Sequence, residues 1–386
     1  MTSTEKYKQE IAAHLNASPK QISLYWKGRV GLYALLKAMG IGKGDEVILP
    51  AFTCVVVPNA ILYLGGTPVY ADISSDHLNT TFARIKEKVT PNTRCILVQN
   101  TFGLSSEVDQ IAAFAQAHSI YTIEDCTHGF GGSFNGKPNG TYCDAAFYST
   151  QWNKPFSTGV GGFSLLNNHV LEKRLKEVNQ ELISPSLKQR KTLGMLIRVR
   201  KFMLHDSTYW PLLRLYRSWS KTGAVVGSST ATELETIDLP EGYFMASSSE
   251  QEKVGLQSLK SLREFSKLRQ KSGLLYNEFM RKHGQWNYPD SDLHNHSFLK
   301  YPVFVKDRMR FMQKAEKAKV QLGDWFLSPI HPVTENYQLW QLDPQQFPKA
   351  EFYSNHVLNL PTDTKNAQKV LRFLLDNMDE LISWEK

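Results

Sequence analysis

Apolar residues in the first two thirds of the chain come in short, continuous, β-branched and aromatic runs. They cover residues 46–50, 68–73, 94–99 and 120–125, with 145–149 and 162–166 as two more. Continuous rather than alternating runs predict strands covered on both faces. Between them lie stretches with helical spacing, at residues 30–39, 54–64 and 107–118. Strand and helix in alternation predict an α/β fold, a mostly parallel sheet flanked by helices. From about Ser248 the pattern changes. A long helix is expected from Gln251 towards Met280, then a strand over 298–305 and a closing helix over 367–382. The chain therefore reads as a large domain, 1–247, and a smaller C-terminal α+β domain, 248–386. A length of 386 residues suits two such units.

Composition narrows the class. With 41% hydrophobic and 21% charged residues, the chain has the balance of a globular protein. No apolar run approaches the ~18–20 residues of a membrane span, and the N-terminus is polar. Its four cysteines lack metal-ligand spacing and are expected to be reduced thiols of a cytoplasmic protein, with no metal site. The net charge of +8 is concentrated between Pro185 and Lys221, where nine basic residues face one acid. No nucleic-acid motif accompanies this charge, so no nucleic-acid partner is expected.

Chemistry concentrates at strand ends, where open α/β sheets place their sites. Ile123-Glu124-Asp125-Cys126-Thr127-His128-Gly129 closes one strand. Asp144 to Lys154 follows, with Ser149 and the apolar neighbours Trp152 and Pro155-Phe156, then the Gly159-Val160-Gly161-Gly162 turn. A carboxylate, a hydroxyl and a desolvated lysine in this order suit pyridoxal 5'-phosphate (PLP). The lysine condenses with the cofactor aldehyde, the carboxylate pairs with the pyridinium nitrogen, and the hydroxyl holds phosphate. Lys27-Gly28-Arg29 opens a helix and offers free amides to an anion. Each piece has a plainer reading: a helix cap for Asp125, a core imidazole for His128, a chain reversal for Gly28.

Together these motifs resemble the DegT/DnrJ/StrS-type sugar aminotransferase family, within the aspartate-aminotransferase fold (fold type I) of PLP enzymes. Residues 40–50, 58–69 and Asn359-Leu360-Pro361 share in the resemblance, which extends over roughly residues 22–381. It implies that Lys154 holds PLP, Asp125 its ring nitrogen and His128 its phenolic oxygen. Ser149 and the amides of Gly28 and Arg29 would bind the phosphate. It further implies a homodimer that transfers an amino group from a donor, L-glutamate, to a keto-deoxysugar carried on a nucleotide, for polysaccharide or glycoconjugate synthesis.

The chain also departs from the family's pattern. Lys27 and Arg29 replace hydroxyl residues, and Cys54 stands where an aromatic residue often stacks on the PLP ring. Asn100 replaces a histidine, and Phe244 and Ala246 replace an Asn and an Arg. Trp325-Phe326 replaces a His-Tyr pair, leaving Trp325 and His331 as substrate candidates. These changes raise the expectation that Arg29 or Lys27 makes phosphate contacts from within the chain. The basic window reads as a surface helix pair buried at a dimer contact, a cap over the site, or an amphipathic segment on the inner membrane surface. Two rivals to the aminotransferase follow. One is a PLP-dependent sugar dehydratase, against which Lys154 argues. The other is a non-catalytic scaffold at the membrane surface.

Overall fold

The computed structural model describes residues 1–203 and 231–383. A seven-stranded sheet forms its centre: β1 (Ile22–Tyr25), β2 (Glu46–Pro50), β3 (Thr67–Ala71), β4 (Thr93–Gln99), β5 (Tyr121–Asp125), β6 (Ala145–Ser149) and β7 (Gly162–Leu166). Their spatial order is β1-β7-β6-β5-β4-β2-β3. Pairing is parallel from β3 through β6, and β7 and β1 are added antiparallel. The six strands predicted in the first two thirds of the chain are present with their ends within two residues, whereas the one expected over 298–305 starts three residues later. β1 adds an edge that the sequence pattern treats only as an apolar lead-in to the glycine turn.

Helices cover both faces. α1 (Ser3–Leu15) is closed by a capping box from Thr2 and Glu5. α2 (Gly28–Met39) ends on Gly40, whose φ of 80° gives the left-handed cap that glycine adopts without strain. α3 (Val56–Leu62) starts two residues later than expected, because Thr53–Cys54 pairs in parallel with Ile330–His331 instead of joining the helix. α4 (Val108–Ala117) follows β4. Tyr148 of β6 and Phe163 of β7 stack at 4.4 Å and 11°. Such a pair adds about 0.5–1.5 kcal/mol beyond its area burial and fixes the strand that ends on Ser149.

The described half of the basic window is a helix, α5 (Leu187–Met203). Its Leu193 is fully buried with Trp26, Val160 and Met245, and Ile197 and Trp152 pack beside them. Leu193 and Ile197 thus pack on the protein's own lysine loop, while Leu187, Met195 and Val199 of the same helix are exposed. Arg190 makes a two-pronged contact with Glu250 at 2.6 and 3.0 Å. The part of the window from residue 204 to 221, with Tyr209, Trp210 and Trp219, lies outside the described residues.

The long helix expected after Ser248 is two helices, α6 (Ser249–Lys260) and α7 (Leu262–Lys282), parted at Ser261. α6 packs on α1. A Cβ on Gly255 would stand 2.5 Å from the Tyr7 ring, and Thr4 Oγ1 donates to Glu252 at 2.8 Å. α6 therefore goes with the sheet, and the expected boundary at Ser248 falls on its N-cap. After α7, β8 (Tyr301–Phe304) and β9 (Val357–Leu360) form an antiparallel pair. The closing helix α8 (Ala367–Leu375) ends before a short turn of 3₁₀ helix, so the predicted helix over 367–382 is cut short. Among the described residues no helix is long and apolar enough to cross a membrane.

Candidate active site

One open cleft collects residues from the carboxyl ends of β4, β5 and β6, from the start of α2 and from the 325–326 loop. Asp125 is the last residue of β5, in register with Gln99 of β4 and Phe147 of β6. Its Oδ1 accepts the Thr127 amide at 2.9 Å. Burial raises the Asp125 pKa, while Thr127 and Lys154 oppose the rise. A buried carboxylate with this environment suits a cationic N–H partner.

Lys154 is 8% exposed, on a loop closed by Thr150 and Thr158, whose hydroxyls meet at 2.6 Å. Its Nζ sits 4.1 Å above the Trp325 ring. Burial lowers its pKa to about 8; Asp125 and Cys54 oppose the fall, while Lys300 and Arg29 add to it. The loop itself is clasped from three sides. Gln251 Nε2 of α6 donates to Trp26 O and Val160 O at 3.0 and 2.7 Å. Arg269 of α7 donates to Pro155 O at 2.9 Å, and Arg200 of α5 to Trp152 O at 3.0 Å.

His128 lines the cavity and stacks on Phe102 at 6.1 Å and 13°. Burial holds its pKa well below the ordinary value, so the ring is neutral. Its Nδ1 accepts the Phe102 amide at 3.2 Å, which leaves the proton on Nε2 as a donor. Phe102 takes a φ of 54°, a left-handed conformation that costs a non-glycine residue about 1 kcal/mol or more.

At the other end, α2 begins with no side-chain cap, so its first amides open towards the cavity. Gly28 is required there: a Cβ would lie 2.8 Å from Tyr148 O and 3.0 Å from Ser149 Cβ. Gly162 is tighter still, its Cβ falling 2.2 Å from Gly28 Cα. These glycines bring the Ser149 hydroxyl and the α2 amides together into a cradle that fits a phosphate. Lys27 and Arg29 flank it, and both turn to one buried carboxylate. Glu233, on the short helix Ala231–Glu235, bonds to Arg29 Nη1 and stands 3.8 Å from Lys27 Nζ. Burial and the neighbouring Arg29 lower the Lys27 pKa to about 8, with Glu233 opposing.

The cavity thus gathers Gly28, Arg29, Cys54, Asp125, His128, Ser149, Lys154 and Trp325. Burial keeps the Cys54 thiol protonated. His331 is set apart from them. Its ring lies 5.5 Å from Trp325, and its Nδ1 accepts the Leu327 amide at 3.1 Å, so it supports the loop and does not line the cavity. Phe244 packs on Tyr33 at 5.5 Å and Ala246 bridges to Tyr25, both as scaffold. Sequence reasoning missed Gln99, Gln251 and Glu233. Of these only Gln251 leaves a local signal, as the far end of a capping box from Ser248.

The sequence model of the DegT/DnrJ/EryC1/StrS aminotransferase family matches residues 3–202 and 234–374. GDP-perosamine synthase of Escherichia coli O157:H7 is 35% identical over 147 residues, which is 38% of this chain and 40% of that protein. The chain thus aligns with about two fifths of the length of that relative. The spore coat polysaccharide biosynthesis protein SpsC of Bacillus subtilis is 25% identical over 364 residues, 92% of this chain and 84% of that protein. Among solved structures, the aminotransferase TlmJ from Streptoalloteichus hindustanus superposes with a TM-score of 0.74 at 20% identity, over 98% of this chain and 91% of that one. NtdA from Bacillus subtilis, solved with bound cofactor PMP, superposes at 0.71 and 21% identity, over 98% and 78%. The chain belongs to the DegT/DnrJ/EryC1/StrS aminotransferase family.

Proposed function

We propose that the protein is a PLP-dependent aminotransferase that converts a keto-deoxysugar, carried on a nucleotide, to an amino sugar, with L-glutamate as donor. The observation that carries this reading is the convergence of Lys154, Asp125, His128 and the Gly28–Ser149 cradle on one cavity. Relatives named GDP-perosamine synthase, and a UDP-N-acetyl-3-dehydro-alpha-D-glucosamine 3-aminotransferase 35% identical over 150 residues, support a nucleotide sugar as acceptor.

In this reading Lys154 holds the cofactor, Asp125 pairs with its ring nitrogen and His128 Nε2–H donates to its phenolic oxygen. Ser149, the first amides of α2 and Arg29 hold the phosphate. When bound, PLP supplies an electron sink for the carbon that exchanges the amino group. Asp125 keeps the ring nitrogen protonated, its own raised pKa matching that role. Lys154 Nζ would take up and return the proton at the donor's Cα, and a pKa near 8 suits both directions of transfer. Trp325 covers the ammonium and excludes water from that step. We further infer a homodimer, and a division between sheet unit and small unit near Ser261.

The test is the visible absorbance of the purified protein with PLP, before and after L-glutamate. A band that forms and then gives way to the pyridoxamine form is the expected result. A band indifferent to every amino acid would overturn the aminotransferase reading, and no band would overturn PLP itself.

A further inference from the structure

The amine of Lys154 rests on an aromatic face. Its Nζ stands 4.1 Å from the centre of the Trp325 ring, and Trp325 lines the site from a loop of the second unit. The negative face of an indole attracts a cation at that distance, and more strongly where water is kept away.

The ring is built into place. Asn359 of β9 is buried and grips the Trp325 backbone at both polar groups. Its Oδ1 accepts the Trp325 amide at 2.9 Å, and its Nδ2 donates to Trp325 O at 2.6 Å. The backbones of Asn359 and Gly323 exchange two more hydrogen bonds, both 2.9 Å. His128 lies 5.1 Å from the indole, and His331 lies 5.5 Å from it, tilted by 32°. The next residue, Phe326, packs on Phe52 at 4.9 Å, and Ile330–His331 pairs with Thr53–Cys54. The loop is thus fastened both to β9 and to the sheet unit, and the indole is held over the lysine.

A lysine that moves a proton must be charged between uptake and return, and its long side chain loses freedom each time it is ordered. A fixed face that attracts the ammonium brings it back to one point. We propose that Trp325, clamped by Asn359, is the seat of the Lys154 ammonium, a positioning residue that fixes where the proton waits. The waiting role rests on the aminotransferase reading above, whereas the seat is present without cofactor. The other titratable groups in the field of Lys154 are Asp125, Cys54, Arg29, His128, Lys300 and His331. The sign of the ring's effect separates two roles. A ring that only excludes water disfavours the ammonium, and a ring that seats it favours it.

The test reads Lys154 in the protein without cofactor, as wild type, Trp325→Leu, Trp325→Phe and Asn359→Ala. Competitive acetylation with acetic anhydride over a pH series, with Lys154 followed by mass spectrometry, gives the midpoint of its titration. Leucine fills space and repels water but offers no ring face. Its midpoint should lie about 0.5–1.5 pH units below that of wild type. Trp325→Phe, with a smaller ring, should fall between the two, and it reads the same sign should the leucine variant not fold. Asn359→Ala, which releases the ring, should also lower the midpoint. A lowered midpoint supports the seat whether or not any amino acid reacts with the holoenzyme. A midpoint unchanged or raised in both Trp325 variants would overturn it.

Discussion

At the lysine end of the cavity, Asp125, His128 and Lys154 sit on strand ends and a glycine-closed loop, and burial moves the proton affinity of each. At the helix end, Lys27 and Arg29 are placed by α2 and held by a remote carboxylate, Glu233. In the proposed mechanism the first end does proton chemistry, and its groups are shifted mainly by desolvation. At the second end burial lowers the Lys27 pKa as well, but Glu233 opposes that fall and raises Arg29, so ion pairing holds charge there. Changes at the first end should therefore strike rate, and changes at the second should strike cofactor affinity.

The largest effect is expected from Lys154→Ala, which should remove the PLP band and cut transamination by more than about 10⁴-fold, checked by absorbance and a coupled assay. Asp125→Asn should keep the band yet slow the half-reaction with glutamate by about 10²–10³-fold, read by stopped flow. Similar losses of cofactor affinity and rate in that variant would erase the contrast between the two ends. Arg29→Ala should weaken PLP binding by about 10–100-fold, seen by fluorescence titration, while leaving the binding of pyridoxal, which has no phosphate, unchanged.

A pH series sharpens the lysine end. With a Lys154 pKa of about 8, only its neutral form attacks the cofactor aldehyde. PLP capture by apo-protein should rise about tenfold per pH unit below 8 and level off above it. An ordinary lysine would keep gaining to beyond pH 10. The smallest effect is expected from Glu233→Gln. It keeps a hydrogen-bonding group on Arg29 while removing a negative charge from the phosphate seat. PLP should bind about 2–10-fold tighter, the opposite sign to Arg29→Ala. Weaker binding would mean that Glu233 acts mainly to hold Arg29 in position.

Much of the site is legible in the sequence because its chemistry is local. Ile123-Glu124-Asp125 ends a strand with a carboxylate, and Ser149 and Lys154 follow along one strand and its loop. Continuous apolar runs locate the sheet for the same reason, since a strand covered on both faces has no polar alternation to hide it. The reading runs out where a residue's partner is far away. Helix spacing continues smoothly through Ser261, and nothing local reveals that α6 must turn back onto α1. His331 and Trp325 look alike as aromatic loop residues, and only the fold puts one in the cavity and the other behind it.

The sequence alone determined the residue types that can hold a cofactor and the order in which strands deliver them, because both depend on short-range pattern. Tertiary structure decided which cations are already paired. Glu233 reaches Arg29 across 204 positions, and Arg269 of α7 reaches Pro155 O on the lysine loop. Electrostatics in a buried site depends on distance in space and on desolvation. Neither is written in the spacing of residues along the chain.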